Sequence, residues 1–226
     1  MIGSLVETER SGRGGEGWRI AAWTGLVCLL IALGYGSRIE GGDPPEDALY
    51  RYETAVGGIV VYLMLLGVLL WIAHGLPKRE FFALRRPASR PRALASYVGI
   101  FVGAGLILIA LDAGDEQGLT PDAWDSSKAG AYAANFVSIA LVGPIVEELM
   151  YRGAGMTLLL RFGAPAAVGL TALGFGLGHG LVLALAALVF FGLVTAWLRL
   201  RTDSIYPCML VHCAFNATSL VAAVAT

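Results

Sequence analysis

Long uncharged apolar runs constrain this chain more strongly than any other feature of its sequence. A helix of about 18 or more apolar residues is long enough to cross a bilayer. Such runs cover residues 20–37, 54–77, 93–111, 129–146, 162–198 and 204–226. The run 162–198 is too long for one span, and we divide it near the glycine-dense segment GLGHG at 176–180. The run 129–146 should continue as a helix through 147–160, which stays mostly apolar.

The runs predict an all-α fold, a polytopic transmembrane helical bundle of about seven spans. An eighth piece would be present if residues 175–182 formed a broken or re-entrant segment. The composition agrees, because 57% of the residues are hydrophobic and 15% are charged, against about 25% charged in soluble domains. The expected partner is therefore a lipid bilayer. A formal net charge of −1 gives no reason to expect a nucleic-acid partner.

Loop charges predict an orientation in the membrane. Segment 75–93 is rich in Lys and Arg, whereas 38–53 and 112–128 are mostly acidic. Cytoplasmic loops carry the excess of Lys and Arg. We therefore expect the N-terminus inside and the C-terminus outside. Short loops and the absence of an organelle signal favour a prokaryotic cytoplasmic membrane.

The same pattern divides the chain into three parts. Residues 1–17 mix acidic and basic side chains without an apolar run, and we expect them to form a disordered cytoplasmic tail. Residues 18–128 form an N-terminal three-span region, and 129–226 hold the other spans together with most of the polar residues inside apolar stretches.

The segment GPIVEELMYRGAG at 143–155 places three charges in an apolar helix. Glu148 and Arg152 are four residues apart, so they share a helix face and can neutralise each other. Glu147 points about 100° away from Glu148 and has no partner nearby in the sequence. An ionisable group inside a span is rare and is usually functional. Glu147 is therefore the first candidate for a functional carboxylate.

Two further polar clusters lie on other predicted helices. FGLGH contains Phe175 and His179, and HCAFN contains His212 and Asn216. Either histidine alone could be a hydrogen-bonded packing residue. Together with Glu147 they could instead line a cavity where a carboxylate takes a proton from water. The histidines and the amide would then stabilise an oxyanion. Counting residues from the helix ends does not place these groups at one depth, and helix tilt could reconcile them.

These three segments resemble the EExxxR, FxxxH and HxxxN motifs of one family, in the same order. It is the CAAX-protease and bacteriocin-processing family of intramembrane endopeptidases, and the resemblance covers about residues 129–226. It implies a helical bundle that hydrolyses a peptide bond of a membrane-associated protein or peptide. Tyr151 stands where many members have Phe.

The resemblance also implies a role for each matching residue. Glu147 would be the base that activates water and His179 its helper. His212 and Asn216 would form the oxyanion hole, while Glu148 and Arg152 would organise the site, with Phe175 in support.

Zinc remains an alternative, because imidazole and carboxylate are ordinary zinc ligands and Glu147, His179 and His212 could supply them. Asn is a poor zinc ligand, but its amide N–H suits an oxyanion. A metal-free glutamate mechanism is therefore favoured, without a cofactor.

Two other functions stay open at this point. One is a non-catalytic immunity or scaffolding protein of the same family, which would keep the polar site for binding. The other is a small proton-coupled carrier that uses Glu147 and His179 as a relay. The carrier is disfavoured because no inverted repeat is visible.

Overall fold

The computed structural model describes residues 2–39, 47–87, 91–113, 116 and 123–225. Within these ranges the chain is helical and contains no strand. The helices are α1 (Ile2–Ile39), α2 (Tyr52–Ile72), the short α3 (Lys78–Phe81), α4 (Pro91–Ala110), α5 (Ser126–Phe162), α6 (Ala164–Gly178), α7 (Leu185–Thr202) and α8 (Tyr206–Ala223). The predicted all-α polytopic bundle is confirmed.

Each predicted span corresponds to an apolar helix. Among the described residues, 5 helices are long and apolar enough to cross a membrane. They are Glu16–Ile39, Tyr52–Ile72, Ser126–Phe162, Leu185–Thr202 and Tyr206–Ala223. Leu94–Ala110 and Ala164–Gly178 are shorter apolar helices and match the other two predicted spans. The chain is an integral membrane protein.

The glycine-dense segment does not add an eighth span. Helix α6 stays regular to Gly178, and the chain then turns and begins α7 at Leu185. Gly180 makes this turn with a φ of 65°, a conformation that glycine adopts at little cost. A Cβ at Gly180 would also lie 2.6 Å from the carbonyl carbon of Gly34. The loop after α6 therefore packs backbone to backbone against α1.

Helix α1 begins earlier than expected. It starts at Ile2, so residues 2–17 are helical and differ from the disordered segment that their mixed charge predicts. Without a proline between Ile2 and Ile39, the helix of the span can continue towards the N-terminus. The cytoplasmic placement of this segment stays a prediction, as do the domain boundaries at 18–128 and 129–226.

Helix α5 forms the centre of the bundle and is not uniform. Two π-helical segments, Ser138–Val142 and Leu149–Gly155, flank the α-helical segment Gly143–Glu148. π-Helical turns are rare and occur frequently at functional sites. The helix continues through 147–160 as predicted, but π-helical turns precede and follow the segment that contains Glu147 and Glu148.

Close packing of small residues holds α6 and α7 together. A Cβ at Gly192 would lie 2.8 Å from the Cα of Ala172, so the two backbones touch. Small residues allow such approach in a bilayer, where dispersion contacts and not exclusion of water drive helix association.

Polar contacts separate the ends of the helices into two groups. At one end, Arg161 pairs with Glu16 at 2.9 Å. At the other end, Lys128 pairs with Asp47 at 3.3 Å. Spans that cross the bilayer in alternating directions require these helix ends to be grouped in this way. Which end faces the cytoplasm stays a prediction.

Another segment of the chain covers the start of helix α8. The N–H of Ile205 donates to the carbonyl of Ala83 at 3.2 Å, and Ser204 and Ile205 are fully buried. The loop after α3 therefore occupies the outer layer at this end.

Candidate active site

Glu147 lies at the meeting point of three helices. Its Oε2 atom is 4.0 Å from Nε2 of His179, at the end of α6. The same oxygen is 3.8 Å from Nε2 of His212, in the middle of α8. Its Oε1 atom accepts a hydrogen bond from the hydroxyl of Tyr62 on α2 at 3.3 Å. The fold thus brings together three of the predicted site residues, and it adds a tyrosine that was not predicted.

The partners of the two imidazoles fix where their protons lie. Nδ1 of His179 is 2.7 Å from the carbonyl oxygen of Phe175. Nδ1 of His212 is 3.0 Å from Oε1 of Glu148. A carbonyl or an ionised carboxylate can only accept, so each Nδ1 carries the proton. In the neutral tautomer each Nε2 then carries a lone pair, and both Nε2 atoms lie no more than 4.0 Å from Oε2 of Glu147.

Glu148 and Arg152 form the ion pair that their spacing predicts. Arg152 Nη1 is 3.3 Å from Glu148 Oε1, and both side chains are fully buried. Nη2 of Arg152 donates to the carbonyl of Gly192 at 3.2 Å and to the hydroxyl of Thr195. The guanidinium also stacks 4.6 Å from the centre of the Phe175 ring. Glu148 therefore connects a buried cation to His212 and holds that imidazole in place.

The pair is not fully hydrogen-bonded. Among the described atoms, Oε2 of Glu148 and both Nε and Nη1 of Arg152 lack a hydrogen-bond partner. Buried charged groups without full pairing are costly. The cluster is therefore retained at some expense of stability, which is typical of a functional site.

Aromatic rings enclose the imidazoles. Phe175 lies 4.7 Å from His179 and 5.6 Å from His212, between ring centres. Phe191 stacks on Phe175 at 5.4 Å and lies 4.7 Å from His212. The predicted supporting position of Phe175 thus has a packing basis, because its ring restricts both imidazoles.

Asn216 binds the backbone of α5. Its Nδ2 donates to the carbonyl of Ile139 at 2.9 Å, within the first π-helical segment. It lies one turn beyond His212 on α8 and is half-buried. The oxyanion role that the resemblance implies for Asn216 would use its second amide N–H.

A cavity of about 310 Å³ opens on one side of Glu147. Its polar lining comes from Tyr62, Glu147, Tyr151 and His179. The other described residues that line it are aliphatic or small: Leu30, Gly58, Val61, Leu65, Met150 and Gly178. Neither His212 nor Asn216 is among the described lining residues.

Glu116 ties down the loop that follows His179. Its carboxylate accepts hydrogen bonds from the N–H groups of Val182 and Ala184, each at 2.7 Å, and it pairs with Arg38 at 3.2 Å. Burial raises the pKa of Glu116, but these N–H donors and Arg38 outweigh it, so the pKa lies below its ordinary value. The carboxylate is therefore held in its ionised form.

Tyr62 and Glu116 could not be identified from the sequence by the motifs. Tyr62 is a single hydroxyl in the aliphatic run VVYLMLLGVLL, and Glu116 is one acid in an acidic loop. A polar group isolated in a span is a usable signal, and it would have pointed to Tyr62.

The residues that could bind zinc lie slightly further apart than one tetrahedral zinc requires. Two ligands of one tetrahedral zinc lie about 3.4 Å apart, whereas Oε2 of Glu147 is 4.0 and 3.8 Å from the two imidazole nitrogens. Within the described ranges, no group of three or more His, Cys, Asp or Glu side chains has a spacing that could hold a metal ion. A zinc ion would require the side chains to move.

Comparison with known proteins identifies one family. The family model described as "Type II CAAX prenyl endopeptidase Rce1-like" matches residues 129–218. None of the curated proteins and none of the solved structures matches the chain. The match lies within the predicted segment 129–226 and includes all the motif residues. Over these residues the chain is therefore similar to the family that the motifs predict.

Proposed function

We propose that this chain, whose residues 129–218 carry an Rce1-like CAAX endopeptidase domain, hydrolyses a peptide bond of a membrane-associated substrate by means of water activated by Glu147. One observation carries the proposal. A half-buried carboxylate faces a cavity, with the Nε2 atoms of two imidazoles no more than 4.0 Å from one of its oxygens.

Hydrolysis requires one proton to move twice. Glu147 takes a proton from water while the water oxygen forms a bond to the scissile carbonyl carbon. The carbonyl π electrons move to oxygen, giving a tetrahedral oxyanion. When the intermediate collapses, the C–N bond breaks and the proton passes from Glu147 to the leaving amine. The products are a carboxylic acid and an amine, so water is the only co-reactant.

The histidines assist in different positions. His179 lines the cavity, so its Nε2 can accept a hydrogen bond from the attacking water and help to orient it. The Nε2 atom of His212 also lies near Glu147, at 3.8 Å, and Glu148 holds the ring. The resemblance implies that His212 and Asn216 stabilise charge, and His212 would do so only with a proton on Nε2, because its Nδ1–H already donates to Glu148. A metal ion enters none of these steps.

The substrate is expected to reach the cavity from the bilayer. Most of its lining is aliphatic, so it suits an apolar segment or a lipid-modified terminus. The description of the matching family points to prenylated CAAX proteins, and an unmodified membrane peptide is the alternative. A prokaryotic cytoplasmic membrane, with the N-terminus inside, is the proposed location.

Cleavage by the reconstituted protein tests the proposal. The full chain in lipid vesicles is given fluorogenic peptides with and without a prenylated C-terminal cysteine motif. Glu147→Gln should lower kcat by about 10²- to 10⁴-fold, the usual contribution of a general base. Glu53→Gln, at the exposed start of α2, is the control and should retain activity. Full activity of Glu147→Gln would reject the mechanism.

If no peptide is cleaved, membrane proteomics decides between an enzyme and a binding protein. A Glu147→Gln strain should accumulate an uncleaved membrane-protein precursor. A strain in which Glu147→Gln leaves every precursor processed, yet still protects cells against a bacteriocin, would favour the non-catalytic immunity function.

Metal content provides a separate test. The purified protein should contain well below one zinc per chain, and a chelator should leave its kcat unchanged. One zinc per chain that is lost in His179→Ala would require a metal-dependent mechanism.

A further inference from the structure

The cavity contains few groups that could stabilise an oxyanion. A tetrahedral intermediate needs a hydrogen-bond donor close to the oxygen on which charge develops. Of the polar residues lining the cavity, Glu147 is an acceptor, and Tyr151 donates its hydroxyl to the carbonyl of Gly174 at 3.3 Å. In the neutral tautomer His179 has no proton on Nε2, because Nδ1 donates to the carbonyl of Phe175. Tyr62 is then the cavity-lining hydroxyl that is positioned next to the base.

The missing side chain of Gly143 leaves room for the Tyr62 hydroxyl. Tyr62 reaches Glu147 across Gly143, where a Cβ would lie 2.6 Å from Oη and 2.7 Å from Cζ of the tyrosine. Any residue with a side chain at 143 would therefore push the phenol away. Tyr62 Oη is 3.3 Å from Oε1 of Glu147, which is a long hydrogen bond and easily exchanged.

The two oxygens of Glu147 have different neighbours. Oε2 faces the two imidazoles, and Oε1 faces Tyr62. When Glu147 takes a proton from water, its negative charge disappears and the same charge appears on the scissile carbonyl oxygen. A donor that bonded the carboxylate is then better used by the oxyanion.

We propose that Tyr62 is a catalytic residue that donates its hydroxyl proton, as a hydrogen bond, to the oxyanion of the tetrahedral intermediate. The proton stays on the tyrosine, so the balance of the hydrolysis is unchanged. The inference rests on the proposed function. It goes beyond the motif residues, because Tyr62 lies outside residues 129–218 and no motif contains it.

Kinetics of Tyr62→Phe in the reconstituted protein test the inference. Loss of one oxyanion donor lowers kcat by about 10²- to 10³-fold. KM should change little, because the bond is made only in the transition state. Tyr132→Phe is the matched control, since it removes a hydroxyl that donates to the carbonyl of Leu220 at 3.0 Å, about four helical turns before Glu147 on α5. It should keep kcat within about twofold.

A transition-state analogue separates catalysis from positioning. A phosphinic peptide, whose P–O⁻ group imitates the oxyanion, should bind Tyr62→Phe more weakly by the same factor that kcat/KM loses. Unchanged inhibitor binding together with a reduced kcat would mean that Tyr62 only orients Glu147, and it would overturn the inference.

Gly143→Ala provides a second route if Tyr62→Phe is poorly folded. Alanine favours a helix more than glycine does, but its Cβ should displace the phenol and reduce kcat as Tyr62→Phe does. Suppose that a folded Gly143→Ala or Tyr62→Phe retains activity while Glu147→Gln is inactive in the same assay. This result would refute the role of Tyr62 and leave the proposed function intact. Activity in Glu147→Gln would refute the proposed function itself.

Discussion

Replacing Arg152 by methionine should strongly destabilise the protein. Two unit charges 3.3 Å apart attract by about 5 kcal/mol at an effective dielectric constant of about 20. Arg152→Met removes that attraction and leaves Glu148 fully buried, with His212 as its hydrogen-bond partner. Breaking a buried pair on one side costs about 3–5 kcal/mol. For a chain of this size, we expect the melting temperature to fall by roughly 6 to 20 °C.

Thermal unfolding in detergent measures the effect, with an exposed pair as the reference. Arg161 pairs with Glu16 at 2.9 Å, but its side chain is 40% exposed, so Arg161→Met should cost less than about 1 kcal/mol. The double variant Glu148→Gln with Arg152→Met removes both charges and should recover much of the lost stability.

Two results would refute this reasoning about the buried pair. One is an equal shift in Arg152→Met and Arg161→Met, because burial would then not amplify the interaction. The other is a double variant that is less stable than Arg152→Met, because the cost would then come from lost packing and not from an isolated carboxylate.

The same unfolding assay checks two more features. Gly192→Ala should cost about 1–3 kcal/mol, because its Cβ meets the backbone of Ala172 and forces α6 and α7 apart, whereas Gly169→Ala, with open space around it, should cost nothing. For Glu116, a lowered folded pKa means that its stabilisation is present above the ordinary value of about 4.3 and is lost as the pH falls through the folded value. Wild type should therefore melt above Glu116→Gln at pH 7, and the difference should shrink below about pH 4; a difference that does not change with pH would contradict the ionised contact.

Hydropathy and helical spacing predicted much of the molecule. Uncharged runs located the apolar helices, because a bilayer admits few other structures. The (i, i+4) rule predicted the pairing of Glu148 with Arg152. The motifs, through their resemblance to a family, pointed to His179 and His212, which lie near Glu147.

Tertiary contacts account for what the sequence did not predict. The π-helical segments depend on packing around α5 and leave no periodic signal in the sequence. The burial of Ser204 and Ile205 at the start of α8 depends on the loop after α3. No motif marks Tyr62 in its span, and its position across Gly143 comes from the fold. In each case the decisive neighbour is distant along the chain.

The charged groups of the cavity and much of its aliphatic lining come from different parts of the chain. The charged groups come from the C-terminal half, while Leu30, Val61 and Leu65, from α1 and α2, form much of the opposing aliphatic surface. Substitutions of these aliphatic residues could therefore reshape what the cavity accepts while Tyr62 and the other residues around Glu147 stay unchanged. Exchanging α1 and α2 between relatives should transfer substrate preference, provided that Tyr62 and Gly34 are kept.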